Sequence, residues 1–493
     1  MFELISIRSA GMLLGGTLLM GCIALAVASF SMYPGSWPVL AAFHVCFLLL
    51  IGLVFPRPRL YVYTFFAGFL FLGFWPKVVA HTVWAVAFVE PVGDFTGTAI
   101  EWDSALLAAT AGAAGIISVR FGYLLLNRGR GRGKSALSEN SAVPWWFIKW
   151  RKAIWIFTIA LVLGLQFLNA SLAFFQVGVN PIVIFPMHMN VPIAWLINIG
   201  FAIWIATLVH WDFKLNEGTL AQNLIAPIVE AFLTSVSSLS RLAFLLHAGP
   251  YLLTLAERWN DFRNALGGGK IRRLSFAFVT LFCVGILTVF LFRVLYFHDY
   301  EKYVLKPDET TSSTLTAMTF PRYLREVLVR QIPTLFIQRW IGLEGVLTAS
   351  KAANRGNDLL LAVLIEDPRK GGKSLYQQHA KPDYLTSTPD KFTFLTNAGV
   401  IAILLFSGST FVVAIGMAIL TLVLISTEIT AHALTRNPFL LAIIGAGLAN
   451  VAVQTTFPYL SLLYLLQIWV AILFLWLIQH VPVIPDSRPS ITK

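Results

Sequence analysis

The chain has 493 residues, 57% of them hydrophobic and only 12% charged, about half the charged share of an ordinary soluble domain. So few ionisable groups cannot cover the surface of a water-soluble protein of this length, and the soluble classes are excluded. A net charge of +12 would point to nucleic acid in a soluble chain. Here the basic residues gather in alternate short loops, where they set topology and meet anionic lipid, so membrane lipids and no nucleic acid are expected as partners.

The apolar residues arrive in runs of about twenty, enough to cross a hydrocarbon core of ~30 Å at about 1.5 Å per residue. In chain order, spans are expected near 9–31, 36–55, 60–86, 104–126, 153–176, 190–210, 219–239, 240–256, 273–297, 394–426, 437–457 and 459–480. The first is too long for the apolar region of a signal peptide and no small-residue cleavage site closes it, so it is expected to remain as a span. The runs at 60–86 and 394–426 are long enough to tilt or to hold a break. The pair over 219–256 has to turn sharply around Ser235 to Arg241.

The expected fold is therefore an all-α polytopic membrane protein of about twelve transmembrane helices. An N-terminal bundle of about nine spans occupies 1–297, a loop domain 298–393, further transmembrane helices 394–482 and a tail 483–493. In 298–393, apolar and charged residues alternate at helical spacing (YLREVLVRQ, LFIQRWIGLEGVL, DLLLAVLIED), which predicts a helical lid between the ninth and tenth spans. No internal repeat of the kind found in two-fold transporters is visible.

Orientation follows from lysine and arginine asymmetry. Arg57 and Arg59, then Arg128, Arg130, Arg132 and Lys134, then Arg258, Arg263, Lys270, Arg272 and Arg273 occupy alternate loops, which are placed inside. The intervening loop from Glu90 to Asp103 is purely acidic, and Val177 to Asn190 has no charge. Both termini then lie inside and the lid outside. The basic stretch from Asn127 to Asn140 has no interleaved aromatic residues and is expected to be a solvated linker.

Charge that a bilayer makes costly is the best pointer to a site in such a chain. Lys77, beside Pro76 in the third span, either faces a polar cavity or snorkels to an interface past Trp75 and Trp84. Glu90, Asp94, Glu101 and Asp103 are loop carboxylates that can serve as a base or hold a cation. Arg241, at the end of SVSSLSR, has a planar fork suited to phosphate, with serines to donate beside it; the alternative is a structural pair with Glu230. Arg293 near the end of the ninth span is explained by snorkelling unless it points inward. From Arg322 to Arg355, six basic residues stand against Glu326 and Glu344, and on a helix Arg322, Arg325 and Arg330 fall within about 140° of one another. That face is either solvated or binds a polyanion. His379, the one histidine within 299–393, is a candidate base or an idle loop residue. Cys22, Cys46 and Cys283 have no metal or redox spacing and are expected to pack between helices, so no metal is expected. No GxxxxGK[ST] loop is present, and if the chain is an enzyme its donor is expected to be lipid-borne.

On four short segments the chain resembles the bacterial O-antigen and oligosaccharide repeat-unit polymerases of the Wzy type. These are FLFLGFWPK (69–77), SSLSR (237–241), QRWIGLEGV (338–346) and NAGVIAILLFSGS (397–409). The topology of many helices with one large late loop is similar as well. The resemblance implies a GT-C-like membrane glycosyltransferase of the bacterial inner membrane, acting at the periplasmic face without a cofactor or metal. Its donor and acceptor would be undecaprenyl-diphosphate-linked glycans, and a chain-length regulator is a possible partner. Arg241, Arg339 and one of Arg322 or Arg325 would grip the diphosphate, with Lys77 and Arg293 as further anion-binding candidates. Glu344, Glu90 and His379, in that order, are the candidate bases. An O-antigen ligase shares this topology; a flippase would instead carry its charges along the central spans.

Overall fold

The computed structural model describes residues 2–88, 90–128, 143–179, 181–183, 185–186, 189–215, 223–258, 268–304, 340–367, 374–381 and 396–480. The described residues form helices and no strand. In chain order they are α1 (Phe2–Phe30), α2 (Trp37–Gly52), α3 (Tyr61–Val83), α4 (Ala99–Leu126), α5 (Trp145–Leu172), α6 (Asn190–Lys214), α7 (Ile225–Ser237), α8 (Arg241–Glu257) and α9 (Gly268–Val304). Then follow α10 (Leu343–Lys351), α11 (Asn357–Leu364), α12 (Leu375–Ala380), α13 (Val400–Leu405), α14 (Thr410–Thr435), α15 (Pro438–Val453) and α16 (Pro458–Gln479).

Among the described residues, seven helices are long and apolar enough to cross a bilayer: α3, α4, α5, α6, the Arg273–Arg293 part of α9, α14 and α16. Shorter apolar helices are Gly16–Phe30 of α1, α2, α7 and α15. The chain is thus a helical, multi-pass type of membrane protein. The outward sides of α5 and α16 carry exposed Ile156, Phe157, Phe167, Leu466, Val470 and Phe474, as lipid-facing helices do.

The run 394–426 holds a break, one of the two arrangements its length allows: α13 stops at Leu405, Gly408 turns the chain at φ +77°, and α14 begins at Thr410. The long α9 runs through the expected start of the lid at 298 and continues to Val304. Within the expected lid region, α10 is buried in the bundle while α11 is mostly half-buried or exposed. Leu343, Val346 and Leu347 of α10 have no exposed surface, and α10 packs against α3, α4, α12 and α13.

Close packing is set by small residues. A Cβ on Gly73 would lie 2.1 Å from the carbonyl oxygen of Ile341, and one on Gly345 would lie 1.8 Å from that of Ala398. Backbone contact at these points therefore requires glycine. On the opposite side of the bundle, Glu428 of α14 accepts hydrogen bonds from the Tyr61 and Val62 amides at 2.8 and 2.7 Å, so a carboxylate caps the start of α3.

Charge divides the bundle into two ends. At one, Asp103 accepts from Tyr33 and Ser36, and Asp94 and Glu101 also gather. At the other, Arg120 donates to the carbonyls of Leu53, Pro56 and Pro58. Arg59 there meets Glu257, and Arg151 meets Asp212.

Candidate functional site

The acidic end holds the site. Lys77, four residues after Gly73 on α3, places Nζ 2.6 and 2.5 Å from the two carboxylate oxygens of Glu344 on α10. Their side chains are 1% and 5% exposed. Lys77 thus points inward and does not snorkel. Two ions held this far from water are retained only when paired and hydrogen-bonded, and both conditions are met.

Along α10, Glu344, Thr348 and Lys351 recur at i, i+4 and i+7 and so share one face. Each meets a different element. Glu344 binds Lys77 of α3, Thr348 donates to the Pro91 carbonyl at 3.5 Å, and Lys351 pairs with Glu101 at the start of α4 at 2.7 Å. Glu90 is half-buried and close enough to act electrostatically on Glu344.

Beside this face lies a cavity of about 170 Å³, lined by Asp94, Thr348, Lys351, Ala352, Ala353, His379 and Lys381. Lys381 reaches Asp94 at 2.6 Å, and the His379 ring lies 5.6 Å from that of Phe406. Burial holds the imidazole below its ordinary pKa, Lys381 adds to that effect and Asp94 opposes it. Gly93, at φ +62°, lets the loop meet the His379 carbonyl, where a Cβ would be 2.4 Å away.

Of the residues singled out in the sequence, Lys77, Glu344 and Glu90 come together, with His379 on the adjoining cavity. Three of the four resembling segments meet here too: Gly73 touches Ile341, Gly345 touches Ala398, and Lys77 pairs with Glu344. The fourth does not. Arg241 opens α8, and Arg293 donates to the Leu239 carbonyl at 3.2 Å in the turn before it. The serines of that turn are committed to structure rather than to a ligand. Ser235 donates to the Ser240 carbonyl, Ser238 to that of Thr234, and Ser240 caps α8 through the Ala243 amide. Glu230, the suggested partner of Arg241, is taken by His247 and Thr234. Arg322, Arg325 and Arg339 lie outside the described residues.

Sequence reasoning missed Lys351 and Lys381 as parts of the cavity, and missed His81. One turn after Lys77, His81 sets Nδ1 2.5 Å from the Val86 carbonyl and stacks on Phe88 at 3.8 Å. Its Nε2 is buried with no hydrogen-bond partner among the described residues. The K-x-x-x-H spacing on one helix face was the available signal. The sequence matches no protein-family model, no curated protein and no solved structure.

Proposed function

We propose that this chain is a membrane glycosyltransferase that joins undecaprenyl-diphosphate-linked oligosaccharide repeat units into a bacterial surface polysaccharide of the O-antigen kind. The observation that carries this reading is the meeting of the segments at 69–77, 338–346 and 397–409 at the buried Lys77–Glu344 pair. In the proposed topology the acidic end is periplasmic, because Arg57, Arg59, Arg120, Arg128, Arg151 and Arg258 belong to the other. Twelve spans and cytoplasmic termini complete it.

In the proposed reaction a hydroxyl of the acceptor glycan bonds to the anomeric carbon of the donor. The bond from that carbon to the diphosphate oxygen breaks, and the diphosphate leaves with the electron pair. The hydroxyl proton passes to Glu344, with Glu90 and His379 as the next candidates. Lys77 holds the Glu344 carboxylate in place until then. Negative charge grows on the diphosphate, and fixed cations meet it. Arg339 and Arg322 or Arg325 remain proposed for this role, with Arg241, and Lys351 and Lys381 at the cavity join them.

The test is deletion of the gene in its native bacterium, with complementation by wild type or Glu344→Gln, and electrophoresis of surface lipopolysaccharide. The expected result is core carrying a single repeat unit without a ladder, restored by wild type and not by Glu344→Gln. Bare core with lipid-linked polymer accumulating would identify a ligase, and bare core with lipid-linked single units a flippase. An unchanged ladder would overturn the O-antigen reading.

A further inference from the structure

A second polar site lies among α5, α6, α7 and α8, and no glycan chemistry uses it. His247 of α8 places Nε2 2.7 Å from the carbonyl oxygen of Asn198. A carbonyl only accepts, so Nε2 carries a hydrogen. Nδ1 lies 3.0 and 3.1 Å from the two carboxylate oxygens of Glu230 on α7, contacts that need one proton between ring and carboxylate. The side chains are 3% and 2% exposed.

The neighbouring hydrogen bonds bear on where that proton sits. Thr234 donates to Glu230 Oε1 at 2.7 Å, Gln166 Nε2 donates to Thr234 Oγ1 at 2.6 Å, and Ser237 donates to Gln166 Oε1. Every hydrogen in this series points toward Glu230, and an ionised Glu230 that accepts from Thr234 and from a doubly protonated His247 satisfies all of these contacts at once. Asn198 is free to accept because residues 196–200 form a π turn, in which the Phe201 amide reaches back five residues to Leu196.

The geometry points to a proton-binding site formed by Glu230 and His247, whose proton fastens α7 and α8 to the π turn of α6. Apolar side chains would join these helices at no electrostatic cost, and replacing a buried ion pair by them is often neutral or stabilising. Ionisable groups inside a bilayer mark a site. When the proton leaves, the Nδ1 lone pair faces the carboxylate and one uncompensated charge remains, so the contact turns repulsive. From Ser237 the polar series continues to Asn169, which bonds both the amide and the carbonyl of Phe175, and to Gln176, whose Oε1 is buried with no hydrogen-bond partner among the described residues.

The other titratable groups on packed elements are few. Tyr251 of α8 has a buried hydroxyl with no hydrogen-bond partner among the described residues and feels the Glu230 charge. Arg241 opens α8, and Arg293 of α9 is bound at Leu239. His210 and Asp212 sit at the far end of α6, where Asp212 accepts from Arg151 and Trp155. The helix α15, packed against α8, presents none.

The test uses the full chain in detergent micelles with ¹⁵N-labelled histidine, titrated from about pH 5 to 10, with His247→Gln and Glu230→Gln as variants. At pH 7 the His247 ring is expected to carry hydrogen on both nitrogens in wild type. In Glu230→Gln it should carry one. In wild type the second proton should leave in the alkaline range, with Tm falling from about pH 6.5, where the unfolded histidine gives up its proton, until the folded ring does so too. The sign follows because the native state holds the proton that the unfolded chain gives up. His247→Gln should lose this pH-dependent fall. A wild-type ring with one hydrogen at pH 7 overturns the proposal. So does a ring that keeps both to pH 10, which would make the pair a fixed structural link. If His247→Gln fails to fold, Glu230→Gln with unchanged ring protonation decides against it. None of these readouts depends on the glycan reading.

Discussion

At the residue scale the Lys77–Glu344 contact dominates the acidic end. Breaking a buried pair by removing one partner leaves an uncompensated charge and costs about 3–5 kcal/mol. Lys77→Met should therefore lower the Tm of purified protein steeply, while Lys77→Met with Glu344→Leu should recover most of it. Neither is expected to restore the polysaccharide ladder, so stability and activity separate in the double variant. Lys351→Ala and Lys381→Ala, at the cavity rim, should shorten or abolish the ladder with little change in Tm, since half-exposed pairs contribute about 0–1 kcal/mol. Arg241→Ala should do the same if its fork takes part in diphosphate binding; unchanged glycan length in both Arg241→Ala and Lys351→Ala would sink the diphosphate-grip reading. None of these pairings was legible in the sequence. Lys77 and Glu344 are 267 positions apart, and Glu344 read as a loop charge because its neutralising partner sits in a distant span.

At the element scale, glycine sets how closely α10 approaches its neighbours. Gly345→Ala would drive a Cβ into the Ala398 carbonyl and Gly73→Ala into that of Ile341. Both are backbone atoms, which cannot swing away. Each substitution is expected to cost about 1–3 kcal/mol or more, seen as reduced folded yield and Tm. Gly68→Ala on the same α3 is the control, because nothing lies within 4 Å of its Cβ; there the helix should gain about 0.5–1 kcal/mol. The spans themselves were legible, since twenty apolar residues in a row have few alternatives. A break in 394–426 was allowed by its length, but its place was not legible, because α13 and α14 are both apolar and the turn rests on the conformation of Gly408. The burial of α10 was hidden by its charges, which read as a solvated face. Glu230 and His247 meet at 3.0 Å inside the bundle, and nothing in the local pattern around either residue announces the other.

For the whole molecule, the placement of Asp94 and Lys381 at one end and Arg59 at the other makes a topology test direct. Single cysteines replacing Asp94 or Lys381, in a background without Cys22, Cys46 and Cys283, should react with a membrane-impermeant maleimide in intact cells. A cysteine at Arg59 should react only after the membrane is opened. Labelling in the reverse order would invert the proposed orientation and remove the periplasmic site with it.

The cap on α3 has a consequence for how the protein is made. The carboxylate that satisfies the first amides of α3 belongs to Glu428, 367 positions later, and the partner of Lys77 is 267 positions later. At roughly 5–20 residues per second, a ribosome takes about 13–53 s to supply Glu344 after Lys77. Through that interval the third span sits in the membrane with a bare ammonium and an uncapped end. A chain truncated before α10 should therefore be degraded, and supplying residues 340–493 as a separate polypeptide should rescue it.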